Sequence, residues 1–250
     1  MFETFNVPGL FIFRTDILPL YYFGKFTSMM VDLGYGLSYF TPISDGYPIP
    51  YASLWSDFDG KDLTEYMKTL LKDSGKHISN DNEEVIPENI KEKSCYVALD
   101  FDEELGSVEP FDYELPDGTH ITIKDERIKC PEALFRPSMI KKEGNGISQT
   151  CYDSIQKCKF DIRKDLYNNI FLTGGTSLFN GLPERLKKEV KALAPESMKE
   201  EVKVIASPER KFVVWMGSSV ICSSSTFQDR WITKEEYEES GAAIVHKKST

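Results

Sequence analysis

Two glycine turns carry the residues of this sequence best suited to chemistry. Asp32-x-Gly34-x-Gly36 follows the apolar run Phe26 to Val31, and Thr173-Gly174-Gly175-Thr176 follows Ile170-Phe171-Leu172. Glycine lacks a Cβ, so backbone N–H groups in such turns can approach an anion closely, and paired turns can cradle phosphates. Asp32, placed ahead of the first turn, is suited to holding a metal ion through its water, because magnesium tends to keep its hydration shell. Either turn alone is more often a plain tight turn than a phosphate loop. Lys91, Glu92 and Lys211, taken singly, are solvated surface charges. Composition and spacing therefore lead as far as a soluble α/β domain with candidate nucleotide loops.

Other chemistries find little footing. His77, His120 and His246 are the only three histidines and lie far apart, so no zinc site is expected. There is no G-x-S-x-G elbow for a serine hydrolase. Cys95, Cys130, Cys151, Cys158 and Cys222 are odd in number and form no C-x-x-C pair, which favours free thiols over a disulfide framework. The 250 residues include 40 acidic and 30 basic side chains, giving a net charge of −10. That balance argues against nonspecific binding to nucleic acid or an anionic membrane surface. No apolar run approaches the roughly 18 residues of a membrane span, and the start, MFETFN, lacks a signal-peptide pattern. A soluble intracellular protein is expected.

The elements that must position the two turns can be read along the chain. Phe26–Val31 and Leu37–Ile43 form a hairpin around the first turn. Thr15–Phe23 is a weak helix pattern interrupted by Pro19. Leu63, Tyr66, Met67, Leu70 and Leu71 have helical spacing and stop at Gly75, residues 74–84 form a polar loop, and Pro87 opens a short helix toward Cys95. Tyr96–Phe101 reads as a strand or the approach to one, and Asp100–Asp112 as a solvated connection. Tyr113–Ile123 reads as a second hairpin with Asp117-Gly118 at its turn. Asn169–Thr173 is a buried strand, and Leu182 to Leu193 a helix entered through Pro183 and stopped by Pro195. Lys203–Ala206 and Phe212–Trp215 are strand candidates, and Thr233 with Glu236 has capping-box spacing. Mixed strands and helices point to an α/β or α+β fold.

The segments NIKEKSCYVALDF (89–101), YELPDG (113–118), KCPEALF (129–135), DIRKDLY (161–167), GGTSLFNGLPERL (174–186), KALAPESMK (191–199), PERKFVVWMGSS (208–219) and STFQDRWITKEEYEESG (225–241) resemble the actin family, as does MFETFN at the start. The resemblance runs in order along essentially the whole chain. It implies an α/β, ribonuclease-H-like nucleotide-binding fold of two domains, with ATP or ADP and Mg2+ or Ca2+ in the cleft between them. Residues 23–212 correspond to the larger domain, with an inserted lobe at about 59–142. Residues 1–22 and 213–250 correspond to two pieces of the smaller one. The expectation is a chain lacking the family's first third and, with it, the first phosphate loop.

By position, the resemblance assigns nucleotide contacts to Asp32, Gly34, Tyr35, Gly36, Leu37, Gly60, Lys91, Glu92, Gly174, Gly175, Thr176, Leu178, Phe179 and Lys211. It assigns no direct metal ligand and no catalytic residue. Tyr35 and Leu33 replace an aspartate and a serine of the family pattern, and Thr15 and Tyr39 replace its water-positioning glutamine and histidine. Glu88 replaces an arginine. A phenol does not act as a carboxylate or imidazole near neutral pH, so impaired ATP hydrolysis is expected. The family's apolar plug corresponds to Met139-Ile140-Lys141-Lys142, where two ammonium groups would oppose burial between protomers. Expected partners are actin-family protomers or actin-binding proteins in the cytoplasmic cytoskeleton. The alternatives are a non-enzymatic actin-related scaffold subunit and a truncated, nonfunctional product.

Overall fold

A computed structural model describes residues 1–76, 78 and 84–249, so the middle of the polar stretch assigned to 74–84 lies outside the described residues. The chain divides into two units, Met1–Phe26 with Phe212–Thr250, and Thr27–Lys211. The first unit begins with α1 (Phe2–Phe5), β1 (Gly9–Leu10) and α2 (Leu18–Phe23). Pro19 sits in the first turn of α2, where a missing N–H costs nothing, so the helix starts at Leu18 rather than Thr15.

The Thr27–Lys211 unit is built on β2 (Ser28–Leu33), β3 (Ser38–Ser44), β4 (Tyr47–Pro48), β5 (Leu54–Ser56), and later β8 (Ile170–Thr173) and β9 (Val204–Ile205). Its other elements are α3 (Gly60–Asp73), α4 (Val85–Ser94), α5 (Phe101–Glu104), β6 (Phe111–Glu114), β7 (His120–Ile123), α6 (Glu126–Glu132), α7 (Ile147–Lys157), α8 (Phe160–Asn168) and α9 (Leu182–Leu193). The main sheet runs β4-β3-β2-β8-β9, with β5 also paired to β3. β2 and β3 form the expected antiparallel hairpin, and β8 lies parallel to β2 with Asp32 opposite Thr173. All four residues of β8 are buried, as a central strand covered on both faces requires. One core cluster joins this sheet to the helices, including Met29, Val31, Phe40, Leu63, Met67, Ile90, Leu172 and Leu186.

Several expectations are corrected. Tyr96–Phe101 is not a strand: Tyr96 makes a single bridge to Asn180, and Phe101 opens α5. The backbone there spends its N–H groups on loops instead, Tyr96 on Arg127 O and Val97 on Asn180 O. The connection Asp100–Asp112 therefore holds a helix turn and the start of β6. Pro87 is the third residue of α4, still within the first turn, where its missing N–H leaves no intrahelical bond unmade. The helices α7 and α8 carry no counterpart in the sequence reading. α7 buries Ser148, Thr150 and Ser154 beside Ile147, Cys151 and Ile155, which blurs its apolar stripe, and Ser154 Oγ donates to Ala52 O at 2.8 Å.

The Met1–Phe26 and Phe212–Thr250 unit continues with α10 (Val213–Cys222), β10 (Ile232–Thr233), α11 (Lys234–Ser240) and α12 (Val245–Lys248). Phe212–Trp215, a strand candidate, is instead the N-cap and first turn of α10. Val213, Gly217 and Ile221 are its buried positions while Trp215 and Ser219 between them are exposed, a pattern that a helix produces and a strand, which puts i and i+2 on one face, does not. A Cβ on Gly217 would lie 1.9 Å from Leu18 O, so α10 crosses α2 at backbone distance. The capping box at Thr233 and Glu236 is present, and β10 pairs antiparallel with β1. Cys95, Cys130, Cys151 and Cys158 are buried free thiols and Cys222 an exposed one. Among the described residues no helix is long and apolar enough to cross a membrane.

Candidate functional site

The two glycine turns, far apart in sequence, meet at one end of the β2–β8 pair. Parallel pairing of β2 with β8 brings Leu33 and Gly174 together as the strands end. Gly174 has φ +87°, and a Cβ there would lie 2.2 Å from Leu33 O and 2.6 Å from Asp32 Oδ1. Only glycine allows this crossing. The second turn then reaches over the first: Thr176 Oγ1 donates to Gly34 O at 2.7 Å. It is held from behind by the 207–210 segment, through Gly174 N–H to Arg210 O and the Arg210 guanidinium to Ser177 O.

The start of α3 completes the frame. Gly60 N–H donates to Gly34 O at 3.2 Å and Lys61 N–H to Tyr35 O at 2.9 Å. Bonds into the first turn thus enter through its carbonyls. Asp59 is the buried N-cap of α3, accepting from Lys61 N–H while Asp62 accepts from Asp59 N–H. Burial pushes the Asp59 carboxyl up and the Lys61 N–H bond draws it down; Asp62 adds to the upward push and Lys142 opposes it, leaving it above its ordinary value.

Lys91 comes from α4 and is almost fully buried. Its Nζ donates to Gly60 O at 2.8 Å and Thr64 Oγ1 at 2.7 Å, and stands 5.9 Å from the centre of the Tyr35 ring. The sequence marked Lys91 as a surface charge when taken alone; in the fold it ties α4 to the first turn of α3. Tyr35 itself is exposed. Desolvation, then the carboxylates of Glu88, Glu84, Glu65 and Asp59, push its phenol above the ordinary range, so it stays protonated at neutral pH.

A cavity of about 620 Å³ opens beside this frame, within the usual range for a small-molecule pocket. Tyr35, Lys91, Glu92, Gly175 and Thr176 line it, with Leu178, Phe179 and Lys211. Glu88, Lys93, Cys95 and Asn180 complete its wall. Asp32, Gly34, Gly36, Leu37, Gly60 and Gly174 do not line it. Gly34, Gly60 and Gly174 lie where the turns are locked together, Asp32 stands against Gly174, and Gly36 and Leu37 form the exposed tip of the first turn.

Cys95, Lys93 and Asn180 carried no sequence signal. They reach the wall because α4 ends at Ser94 and because Asn180 O accepts from Val97 N–H. Among the described residues no group of three or more His, Cys, Asp or Glu is arranged to chelate a metal. Asp32 is the carboxylate that stands against Gly174 where the turns meet, while the nearby Asp59 carboxylate is taken up in capping α3. That donor set fits a hydrated cation carried by phosphates, not one caged by protein.

An actin family model matches residues 1–250. The chain therefore belongs to the actin family, and its mixed α/β architecture is an actin-like fold.

Proposed function

We propose that this member of the actin family binds an adenine nucleotide, ATP or ADP with Mg2+ or Ca2+, weakly and without turning it over, and associates with actin-type filaments or their binding proteins in the cytoplasm. The observation that carries the nucleotide reading is the lock between the two glycine turns, Thr176 Oγ1 on Gly34 O with Gly174 packed on Leu33 O. Gly34 N–H is taken by Leu37 O and the turn's carbonyls by Thr176, Gly60 and Lys61, so the amides of Tyr35 and Gly36 at its tip are the ones an anion would meet. Beside it, Phe179 and Leu178 offer an apolar wall for a base, and Glu92 an acceptor for ribose hydroxyls. When bound, the cation would neutralise phosphate charge, and Asp32 would accept from its waters.

Hydrolysis needs a water aligned by polar groups, and loss of one such group commonly costs ~100-fold or more in rate. Tyr39 and Thr15 are poor replacements in that role. A second reading, a non-enzymatic scaffold subunit, draws support from Glu88 on the pocket wall, whose carboxylate opposes phosphates.

Calorimetry with magnesium–ATP, magnesium–ADP and adenosine tests the proposal, alongside phosphate release on the same sample. Expected are dissociation constants weaker than ~1 μM, a further loss of about tenfold for Phe179→Ala, tighter binding for Glu88→Arg, and no measurable turnover. No heat with any of the three ligands at millimolar concentration would favour the scaffold reading. Turnover like that of a conventional actin would overturn the hydrolysis argument.

A further inference from the structure

A short 3-10 turn, Pro137–Ile140, presents Met139 and Ile140 half-buried against the main core. Lys141 follows in a left-handed conformation, φ 58°, and reverses the chain so that Lys142 N–H donates to Pro137 O at 3.2 Å. The Lys142 ammonium then reaches across 85 residues of sequence to donate to Asp57 O at 3.0 Å. It also stands 3.6 Å from Asp62 Oδ1 and 3.8 Å from Asp57 Oδ2.

Asp62 belongs to the cap of α3, and Asp57 stands just ahead of it. Asp62 accepts from Asp59 N–H, Asp59 accepts from Lys61 N–H, and the Gly60 and Lys61 amides hold Gly34 O and Tyr35 O. Three carboxylates, Asp57, Asp59 and Asp62, crowd this one helix start. The α3 dipole offsets part of their repulsion, and Lys142 supplies a full positive charge. A run of bonded groups therefore leads from the surface segment 137–142 to the glycine turn 34–37.

We propose that Lys142 is a positioning residue, which holds the α3 cap in register and so couples the 137–142 segment to the 34–37 turn. Each of its ion pairs is partly exposed and worth little singly. Together with the bond to Asp57 O they hold one ammonium on one cap. Coupling of this kind is reciprocal: whatever draws Lys142 away loosens the turn, and whatever orders the turn tightens the segment. Its consequence for nucleotide rests on the proposed function above; the coupling itself does not.

Hydrogen exchange read by mass spectrometry over residues 33–38 and 57–64 tests this without any ligand. Lys142→Met should raise exchange in both peptides by about three- to tenfold, Lys142→Arg should restore protection, and Lys141→Met should change nothing. Salt at about 1 M should bring the unaltered chain toward the Lys142→Met pattern. Unchanged exchange over 33–38 in Lys142→Met would overturn the proposal, as would an equal rise across the whole 27–211 unit, which marks general destabilisation. Magnesium–ATP calorimetry run in parallel should show affinity falling by the same factor. No binding by the unaltered chain would overturn the nucleotide reading and leave the exchange data to judge the coupling.

Discussion

In the 27–211 unit the sheet is covered by helices, and one continuous apolar cluster extends from Met29 on β2 to Val190 on α9 and Val202 beyond it. A smaller cluster of Ala98, Phe101, Val108 and Ile128 lies beside it; among the described residues the other unit has only small clusters, such as Phe2 with Ile232 and Ile244, and Leu18 with Ile221 and Phe227. Its sheet is a single pair of two-residue strands, and Phe5 and Trp215 each keep 72% of their surface in water. Small units bury a smaller share of what they expose on unfolding, so their margin is thin. The large unit also contains buried ions: Glu132 bonded to Arg185, and Lys91 bonded to Gly60 O and Thr64. Such groups specify one arrangement because any other leaves them unpaired. The difference teaches that the candidate site sits on the more firmly determined part of the molecule.

The sharpest test of that comparison is a pair of glycines, one in each unit. Gly174→Ala places a Cβ 2.2 Å from Leu33 O at φ +87°, and should cost about 2–4 kcal/mol or more in the large unit. Gly175→Ala, whose nearest neighbours are flexible Lys211 carbons at 3.8 Å and beyond, should be nearly silent. The glycine requirement of the second turn thus falls on its first residue. Gly217→Ala meets Leu18 O at 1.9 Å and should unfold the small unit while leaving the large one standing. Urea unfolding followed by circular dichroism and by tryptophan fluorescence should separate two transitions. One shared transition for all three variants would break the comparison.

A smaller effect is expected at the buried ion pair. Glu132 Oε1 lies 3.1 Å from Arg185, whose guanidinium also donates to Ala98 O and lies over the Phe135 ring. Burial pushes the Glu132 carboxyl up, and Arg185 and then Arg136 hold it back. Arg185→Met alone should destabilise the large unit by about 1.5–3 kcal/mol, because it removes one of the two guanidiniums on a buried carboxylate and leaves Arg136, 3.0 Å from Glu132 Oε1, to hold it. Adding Glu132→Leu should recover much of that loss. Failure of the double change to improve on the single one would show that packing by Arg185, and not charge, is what matters there.

How much of this was legible in the sequence depends on where each bond closes. The β2–β3 hairpin, α3, α9 and the Thr233–Glu236 capping box are local, and spacing alone revealed them. Family resemblance named Lys91 and Phe179 among the residues that line the pocket, but also Asp32, Gly36 and Gly60, which do not, and it left out Lys93, Cys95 and Asn180, which do. Spacing could not show that Lys91 is buried, since its partners Gly60 and Thr64 lie about thirty residues away on another helix. As a short apolar run Phe212–Trp215 fits strand and helix equally; what marks the helix is that Val213 is buried while Trp215, two residues on, is exposed. The role of Lys142 was likewise hidden. A lysine beside an apolar turn signals only charge until the fold brings Asp57 and Asp62 to it.

The smallest expected effect concerns the two charged latches, one per unit. In the large unit Glu126 pairs with Lys76, and only 9% and 17% of their side chains are exposed. Burial would raise the Glu126 carboxyl, but Lys76, Ser74 and the Lys124 N–H draw it down to about 2. A carboxylate lowered on folding contributes stability above its ordinary value of 4.5 and loses it as pH falls toward about 2. The gap in urea midpoint between the unaltered chain and Glu126→Gln should therefore be full at pH 7 and narrow steadily below pH 4.5. In the small unit Glu236 accepts from Lys248, with 37% and 24% of those side chains exposed. The bond to Lys248 lowers that carboxyl too, but water screens it. Salt at about 1 M shortens the screening length to roughly 3 Å, so it should erase the effect of Glu236→Gln while leaving most of that of Glu126→Gln. Equal salt sensitivity at the two positions would mean that the large unit holds its surface charges no more tightly than the small one.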